Sequence, residues 1–237
     1  MKRELRFRLT ILNQRKKLWK LLAFIWFSDA KTPSFAEMIE REMLLSEIEG
    51  LFFQFGIRGI TMDDISRELG KSKKTLYKYF DSKEELIREL LILRLGSDAK
   101  KIQEVIDSPL NAIDKMFSIS NEITSKMKQM NPSLMSDLKK HYRETWEIIE
   151  KYKNEFIFKM ILDNIKQGQE EDIYRNDLDQ NLVAKFYIGH IEALLIKDPI
   201  NSEMIDFVHF HTEMLAYHLR GISNQNGMNI LNAKKHK

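Results

Sequence analysis

An all-α chain is the fold class this sequence predicts, and three observations carry the prediction. Four prolines and nine glycines in 237 residues leave long stretches free of helix breakers. Along those stretches apolar side chains recur at spacings of three and four, the period of one face of an α-helix. The stretch 61–83, TMDDISRELGKSKKTLYKYFDSK, reads as two short helices joined by a tight turn and followed by the start of a third. A hydrophobic content of 43% fits one or two soluble domains with a sizeable core. Without cysteine the chain has no disulfides and no thiolate metal sites, which suits a reducing cytoplasm.

Residues 1–35 form an atypical basic extension. Residues 1–31 hold nine Lys/Arg against two Asp/Glu, a balance of +7; the remainder holds 29 against 33, a balance of −4, so the basicity is local. Arg3, Arg6, Arg8, Arg15, Lys16 and Lys17 precede a short apolar run from Leu21 to Phe27. That run falls short of the about 20 apolar residues of a membrane span. A secretory signal would have this charge order, but the apolar run is short. Four readings stand: a basic helix at a membrane surface, an arm on DNA, a poorly ordered extension, or sequence upstream of a start at Met38 or Met43.

From Glu37 to Phe55 the residues Leu44, Ile48, Leu51, Phe52 and Phe55 mark a first helix, stopped by Gly56. Phe52, Phe53 and Phe55 crowd one helix end and read as core. Thr61 with Asp64 is a capping box that opens a second helix, whose apolar face is Met62, Ile65 and Leu69. Gly70 ends it, because glycine tolerates the left-handed backbone of a helix terminus. Ser72 caps a third helix with Leu76 and Phe80 on one face, and Ser82 with Glu85 opens a fourth. This is helix-turn-helix grammar.

Between Lys71 and Phe80 lie four lysines (Lys71, Lys73, Lys74, Lys78), no acid, and the hydrogen-bonding side chains of Thr75, Tyr77 and Tyr79. A short helix so equipped fits a major groove, with cations meeting phosphates and Thr or Tyr approaching base edges. A basic run by itself is a solvated face; the caps, glycine turn and apolar spacing around it argue for the groove. Thr61, Ser72, Lys73 and Lys83 are assigned to phosphates, and Lys74, Thr75, Tyr77, Lys78 and Tyr79 to base edges or mixed contacts. Tyr77 packing against the first helix is an equal alternative.

The run GIRGITMDDISRELGKSKKTLYKYFDSKEELI resembles the amino-terminal DNA-binding domain of the tetracycline-repressor (TetR) family of bacterial transcription regulators. The resemblance spans Glu37 to Leu90 and includes Phe52 and Gly56, Thr61, the Ile65/Leu69 pair, Gly70, and the Ser-Lys-Lys-Thr-Leu-Tyr-Lys-Tyr-Phe helix. Many members carry a small residue where Lys74 stands and His where Tyr79 stands, so base preference does not transfer. The resemblance implies a three-helix DNA-binding domain over 36–82 and a helical ligand-binding and dimerisation domain over 83–220. It further implies a homodimer on a double-stranded operator and an effector pocket lined from within 86–165. Met116, Phe117, Trp146, Tyr152 and Phe156 are the candidates for that pocket.

The connecting helix from Lys83 runs through Leu86, Leu90 and Leu93 past Ile102, with Gly96 inside it as either a bending point or a packing accommodation. Ser108-Pro109 starts the next helix, with Ile113, Met116, Phe117, Ile123 and Met127 on its apolar face, and Asn131-Pro132 closes it. One long helix is expected through Trp146, Ile149, Phe156 and Met160 to Gly168, followed by a polar connection from Glu170 to Asp179.

Two final helices carry heptad-like seams: Leu182, Phe186, Gly189, Ala193 and Ile196, then Ile205, Val208, Thr212, Leu215 and Leu219. The first has a second apolar face of Val183, Tyr187, Ile191 and Leu194, so it needs burial on both sides. Pairing across a two-fold axis supplies the second side, with Leu182, Phe186, Gly189, Ala193, Ile196, Val208, Thr212, Leu215 and Leu219 at the interface; the alternative is a monomer that buries both faces internally. The residues after Gly221 read as a polar, unstructured tail.

No glycine-rich phosphate loop and no HExxH zinc motif occurs, and no metal, cofactor or enzymatic activity is expected. The expectation is a cytoplasmic DNA-binding regulator, a repressor released by an unidentified small molecule. The alternative is a peripheral membrane protein working through its basic amino-terminal segment.

Overall fold

The computed structural model describes residues 35–128, 131, 133–195 and 207–234. The extension over 1–34, Ile196 and Ile205 lie outside the described residues, as do the side chains of Ala193 and Leu194. The chain divides into two compact units, 1–44 and 45–237. The described part of the first unit is the opening of a helix, α1, Phe35–Phe55, that continues into the second. No strand occurs among the described residues; Tyr174 and Ser223 form an isolated antiparallel bridge.

After α1 come three helices placed by local rules: α2, Met62–Glu68, α3, Lys73–Tyr79, and α4, Lys83–Ile106. Each begins at the expected cap, with the side chains of Thr61, Ser72 and Ser82 accepting from the N–H three residues on. Gly70 sits at φ +59, and Lys71 N–H returns to the Ser66 carbonyl at 2.9 Å, closing the turn between α2 and α3.

The larger helical part comprises α5, Ala112–Met127, α6, Leu134–His141, α7, Arg143–Tyr152, and α8, Phe158–Glu170. It continues with α9, Gln180–Leu195, α10, Phe207–Ile222, and α11, Gln225–Lys234. Helix α5 packs against α8, α10 and α11, and α9 packs against α8 and α10. Their core holds Ile113, Met116, Ile161, Ile165, Leu215 and Leu219.

Two expectations need correction. The single long helix is three helices and a π turn. Tyr142 leaves helical backbone (φ −130, ψ 66) and separates α6 from α7, while Lys153–Ile157 widens into a π turn between α7 and α8. The residues after Gly221 are also not an unstructured tail, because they form α11. Asn224 caps it by accepting from the Gly227 N–H at 3.1 Å, and Leu231 is buried. Asp172, itself at φ 53, accepts from Asn224 and Asn226 and ties the start of α11 to the α8–α9 connection. That connection is polar in composition, yet Tyr174 within it is fully buried. Its ring lies where a Cβ on Gly168 would come within 2.0 Å, so glycine is required there by close packing.

Candidate nucleic-acid interface

Helix α3 is held from below by apolar burial and presents its cations above. Leu76 and Phe80 are fully buried, as are Ile65 of α2 and Leu86 of α4. Lys71, Lys73, Lys74, Tyr77 and Lys78 are exposed, and Thr75 and Tyr79 half-buried. Tyr77 stands 47% exposed instead of packing on the first helix. Lys78 Nζ lies 4.9 Å from the centroid of the Tyr79 ring and donates to its hydroxyl at 3.3 Å, so these two side chains brace one another.

The remaining assigned residues are already engaged within the chain. Lys73 Nζ pairs with Asp63 Oδ2 at 2.6 Å, linking α3 to α2 across the turn. Lys83 Nζ donates to the Ile60 carbonyl at 2.5 Å, and burial lowers its pKa despite nearby Asp137 and Asp64. Lys83 thus ties α4 to the residue before the α2 cap. Thr61 donates from its hydroxyl and its N–H to Asp64, and with Arg67 these bonds hold the Asp64 carboxyl below its ordinary pKa. Ser72 accepts from the Thr75 N–H at 3.0 Å, and the two hydroxyls share a bond at 2.8 Å. Lys74, Tyr77 and Lys78 are the outward-facing group that these contacts leave presented on α3.

Behind this domain lies a cavity of about 240 Å³. Phe52, Phe53 and Ile57 of α1 and its following turn form one wall, and Ile87, Leu90, Leu91 and Ile102 of α4 another. Leu134, Met135 and Leu138 of α6, with Ile123, Tyr152, Ile157, Ile191 and His211, complete it. Of the five residues expected to contact an effector, Tyr152 lines this cavity. Met116 belongs to the core of the larger helical part. Phe117 lies beneath Lys234, Trp146 beneath Lys139, and Phe156 stacks on Tyr152 with centroids 5.1 Å apart.

A chain of charges along the cavity wall was not anticipated. Arg94 pairs with Glu49 at 2.6 Å and with Asp98 at 3.4 Å; Lys126 also pairs with Asp98. Glu122 receives Lys126 at 3.8 Å and Lys101 at 3.7 Å. The signal in the sequence was an i, i+4 pair of opposite charges, Arg94/Asp98 and Glu122/Lys126, inside otherwise apolar helix faces. Lys153 in the π turn is almost wholly buried between Glu150 and Glu192. Burial alone would lower its pKa, but the two carboxylates outweigh that and raise it.

On the outer face of α9, Leu182 is 46% exposed and Phe186 59%, with Gly189 between turns, while Ala184, Tyr187 and Ile188 are buried. On α10 Thr212 is exposed and Val208 half-buried. Leu215 and Leu219, assigned to the same interface, are instead buried in the core, because the helix turns its more apolar stripe inward. Among the described residues no group of His, Asp or Glu side chains could hold a metal, and no helix is long and apolar enough to cross a membrane.

Residues 44–90 match the profile of bacterial regulatory proteins, tetR family. Among curated proteins, the HTH-type transcriptional regulator YvaF of Bacillus subtilis (strain 168) is 28% identical over 153 residues, covering 64% of this chain and 78% of YvaF. The HTH-type transcriptional repressor KstR2 of Mycobacterium tuberculosis (strain ATCC 25618 / H37Rv) is 29% identical over 164 residues, covering 62% of this chain and 74% of KstR2. The solved structure of the ketosteroid transcriptional regulator KstR2 of Mycobacterium tuberculosis superposes with a TM-score of 0.55 at 25% identity, over 82% of this chain and 98% of that one. FadR from Bacillus subtilis, solved in complex with stearoyl-CoA, shares the fold with a TM-score of 0.58 at 18% identity, over 76% of this chain and 97% of that one. With its helix-turn-helix geometry and these relatives, the chain is a DNA-binding transcriptional regulator similar to the tetR family of bacterial regulatory proteins, whose profile residues 44–90 match.

Proposed function

We propose that the chain is a cytoplasmic repressor that binds a pseudo-palindromic operator as a homodimer and is released by a small molecule in the cavity behind α1. Residues 36–82 act as the DNA-binding domain and supply one wall of the cavity, and 83–220 carry its other walls and the dimer face. The observation that carries this reading is the shared wall. Phe52, Phe53 and Ile57 of the DNA-binding domain and the α4 connector bound the same cavity, so an occupant presses directly on the elements that orient α3. Two further contacts would relay its presence. The Arg94–Glu49 pair joins α4 to α1. Ser133, next to the cavity-lining start of α6, lies where a Cβ on Gly56 would be 3.4 Å from its hydroxyl. The naming of the KstR2 relatives as repressors favours repression over activation.

Fluorescence anisotropy with duplex DNA from upstream of the protein's own gene tests the reading, comparing wild type with Lys74→Glu at two salt concentrations. Tight, salt-sensitive binding that Lys74→Glu abolishes is the expected result. Equal affinity for that duplex and a scrambled one would refute regulation of its own gene.

A further inference from the structure

Between Thr61 and Lys83 the chain carries six cations: Arg67, Lys71, Lys73, Lys74, Lys78 and Lys83. Electrostatic attachment to DNA depends on how many of them reach phosphates, and three are held by the fold. Lys83 donates to the Ile60 carbonyl, and Arg67 pairs with Asp64 one turn earlier in α2. Lys73 is held across the helix-turn-helix itself, its Nζ 2.6 Å from Asp63 Oδ2. Lys71 and Lys74 are exposed and have no carboxylate within ion-pair reach among the described residues. Both ends of the Asp63–Lys73 pair are placed by the backbone. Asp63 follows the Thr61 cap as the second residue of α2, and Lys73 follows the Ser72 cap as the first of α3. Gly70 at φ +59 and the bond from Lys71 N–H to the Ser66 carbonyl close the turn between them. The carboxylate therefore stays beside the start of α3, and a phosphate that approaches Lys73 meets Asp63 as well. Contact there means breaking the pair or seating two anions around one ammonium, and either gains less than an unpaired lysine would.

We infer that Asp63 masks Lys73: the pair stays closed on DNA, Lys73 contributes no phosphate contact, and Asp63 is the residue that limits the sequence-independent affinity of the domain. Binding to random DNA comes almost wholly from phosphate contacts, so taking one cation out of the count weakens it. The inference rests on DNA binding alone, not on the dimer, the effector or the operator sequence.

Fluorescence anisotropy of the full-length protein with a duplex of scrambled sequence, at about 50 and about 200 mM salt, tests it. Three forms are compared: wild type, Asp63→Asn, and Asp63→Asn combined with Lys73→Gln, which keeps the net charge of the pair at zero. Both side chains are more than half exposed, 61% for Lys73 and 58% for Asp63, and exposed pairs add little to stability, so all three should fold and melt alike. The basic amino-terminal segment is common to all three and cancels. Asp63→Asn should bind more tightly, with a slope of log affinity against log salt steeper by about 0.9 per subunit. Its advantage over wild type should accordingly shrink about threefold per subunit between the two salt concentrations. The double substitution should return both affinity and slope to those of wild type. Equal slopes in wild type and Asp63→Asn, with a shallower one in the double variant, would mean that Lys73 already reaches a phosphate and would overturn the inference. A gain in affinity that the double variant retains would overturn it too, because the gain would then come from losing the Asp63 charge and not from freeing Lys73. A lower melting temperature in Asp63→Asn with unaltered DNA binding would likewise refute it and leave Asp63 a stabiliser of α2.

Discussion

Lys83 donates from Nζ to the carbonyl of Ile60, whereas Lys74 projects exposed from α3, and the two lysines should answer mutation differently. Lys74→Ala should weaken operator binding and lower the slope of log affinity against log salt by about 0.9 per subunit, the loss of one phosphate contact. Lys83→Ala should leave that slope unchanged and cost about 1 kcal/mol of stability in urea unfolding, the net worth of one hydrogen bond. Protonation is a second residue-scale property. Burial first, and then the proximity of His190, push the His218 imidazole from 6.5 down to about 4, with its ring edge against Tyr187. The unfolded chain takes up a proton as pH falls through 6.5 that the folded chain refuses until about 4, so stability is full above this window and declines within it. Between about pH 7.5 and about pH 5 the urea midpoint should fall by the equivalent of about 1–2 kcal/mol, and His218→Gln should flatten that slope.

At the scale of elements, α4 is the link between the DNA-binding helices and the cavity. Of the two readings of Gly96, packing accommodation finds no support: the residue is exposed, and an added Cβ would meet nothing within 4 Å. Gly96→Ala should therefore stabilise the protein by about 1 kcal/mol through helix propensity. If the connector bends at Gly96 when the cavity fills, the same substitution should weaken effector-driven release of DNA while leaving DNA affinity without effector intact. Release unchanged in Gly96→Ala would remove the bending role. The π turn is a second special element. It holds Lys153 between Glu150 of α7 and Glu192 of α9, and its last residue, Ile157, lines the cavity. The widened turn thereby connects the cavity to the helix that carries the proposed dimer face.

At the scale of the whole molecule, the exposed Leu182 and Phe186 on α9 are a large apolar surface on a charged protein. If it is the two-fold contact, Phe186→Glu should convert the protein to monomers in sedimentation velocity. It should also weaken operator binding at least about tenfold, because two linked recognition helices bind as one unit. A dimer places those helices about 34–36 Å apart, one turn of DNA, which predicts a footprint of two half-sites related by a dyad. A single protected half-site, or a dimer unaffected by Phe186→Glu, would place the contact elsewhere.

What the sequence determined by itself is the part governed by short reach. The caps at Thr61, Ser72 and Ser82 each act over three residues, and Gly70 needs only its own φ of +59 to turn the chain. A helix-turn-helix is built almost wholly from such contacts, so its elements and its basic face are legible in the order of the residues. Tertiary structure alone decided where the cavity lies, that Leu215 and Leu219 turn inward, and that Lys83 reaches Ile60. It also decided that the residues after Gly221 close the fold as α11. Each of these depends on partners far apart in the chain, such as Glu49 with Arg94 or Asp172 with Asn226. Leucine, methionine and phenylalanine look the same in a sequence whether they fill a core, as Met116 does, or face a cavity, as Met135 does. Periodicity identifies the apolar faces of a helix, but the packing of the helices decides which neighbour each face meets.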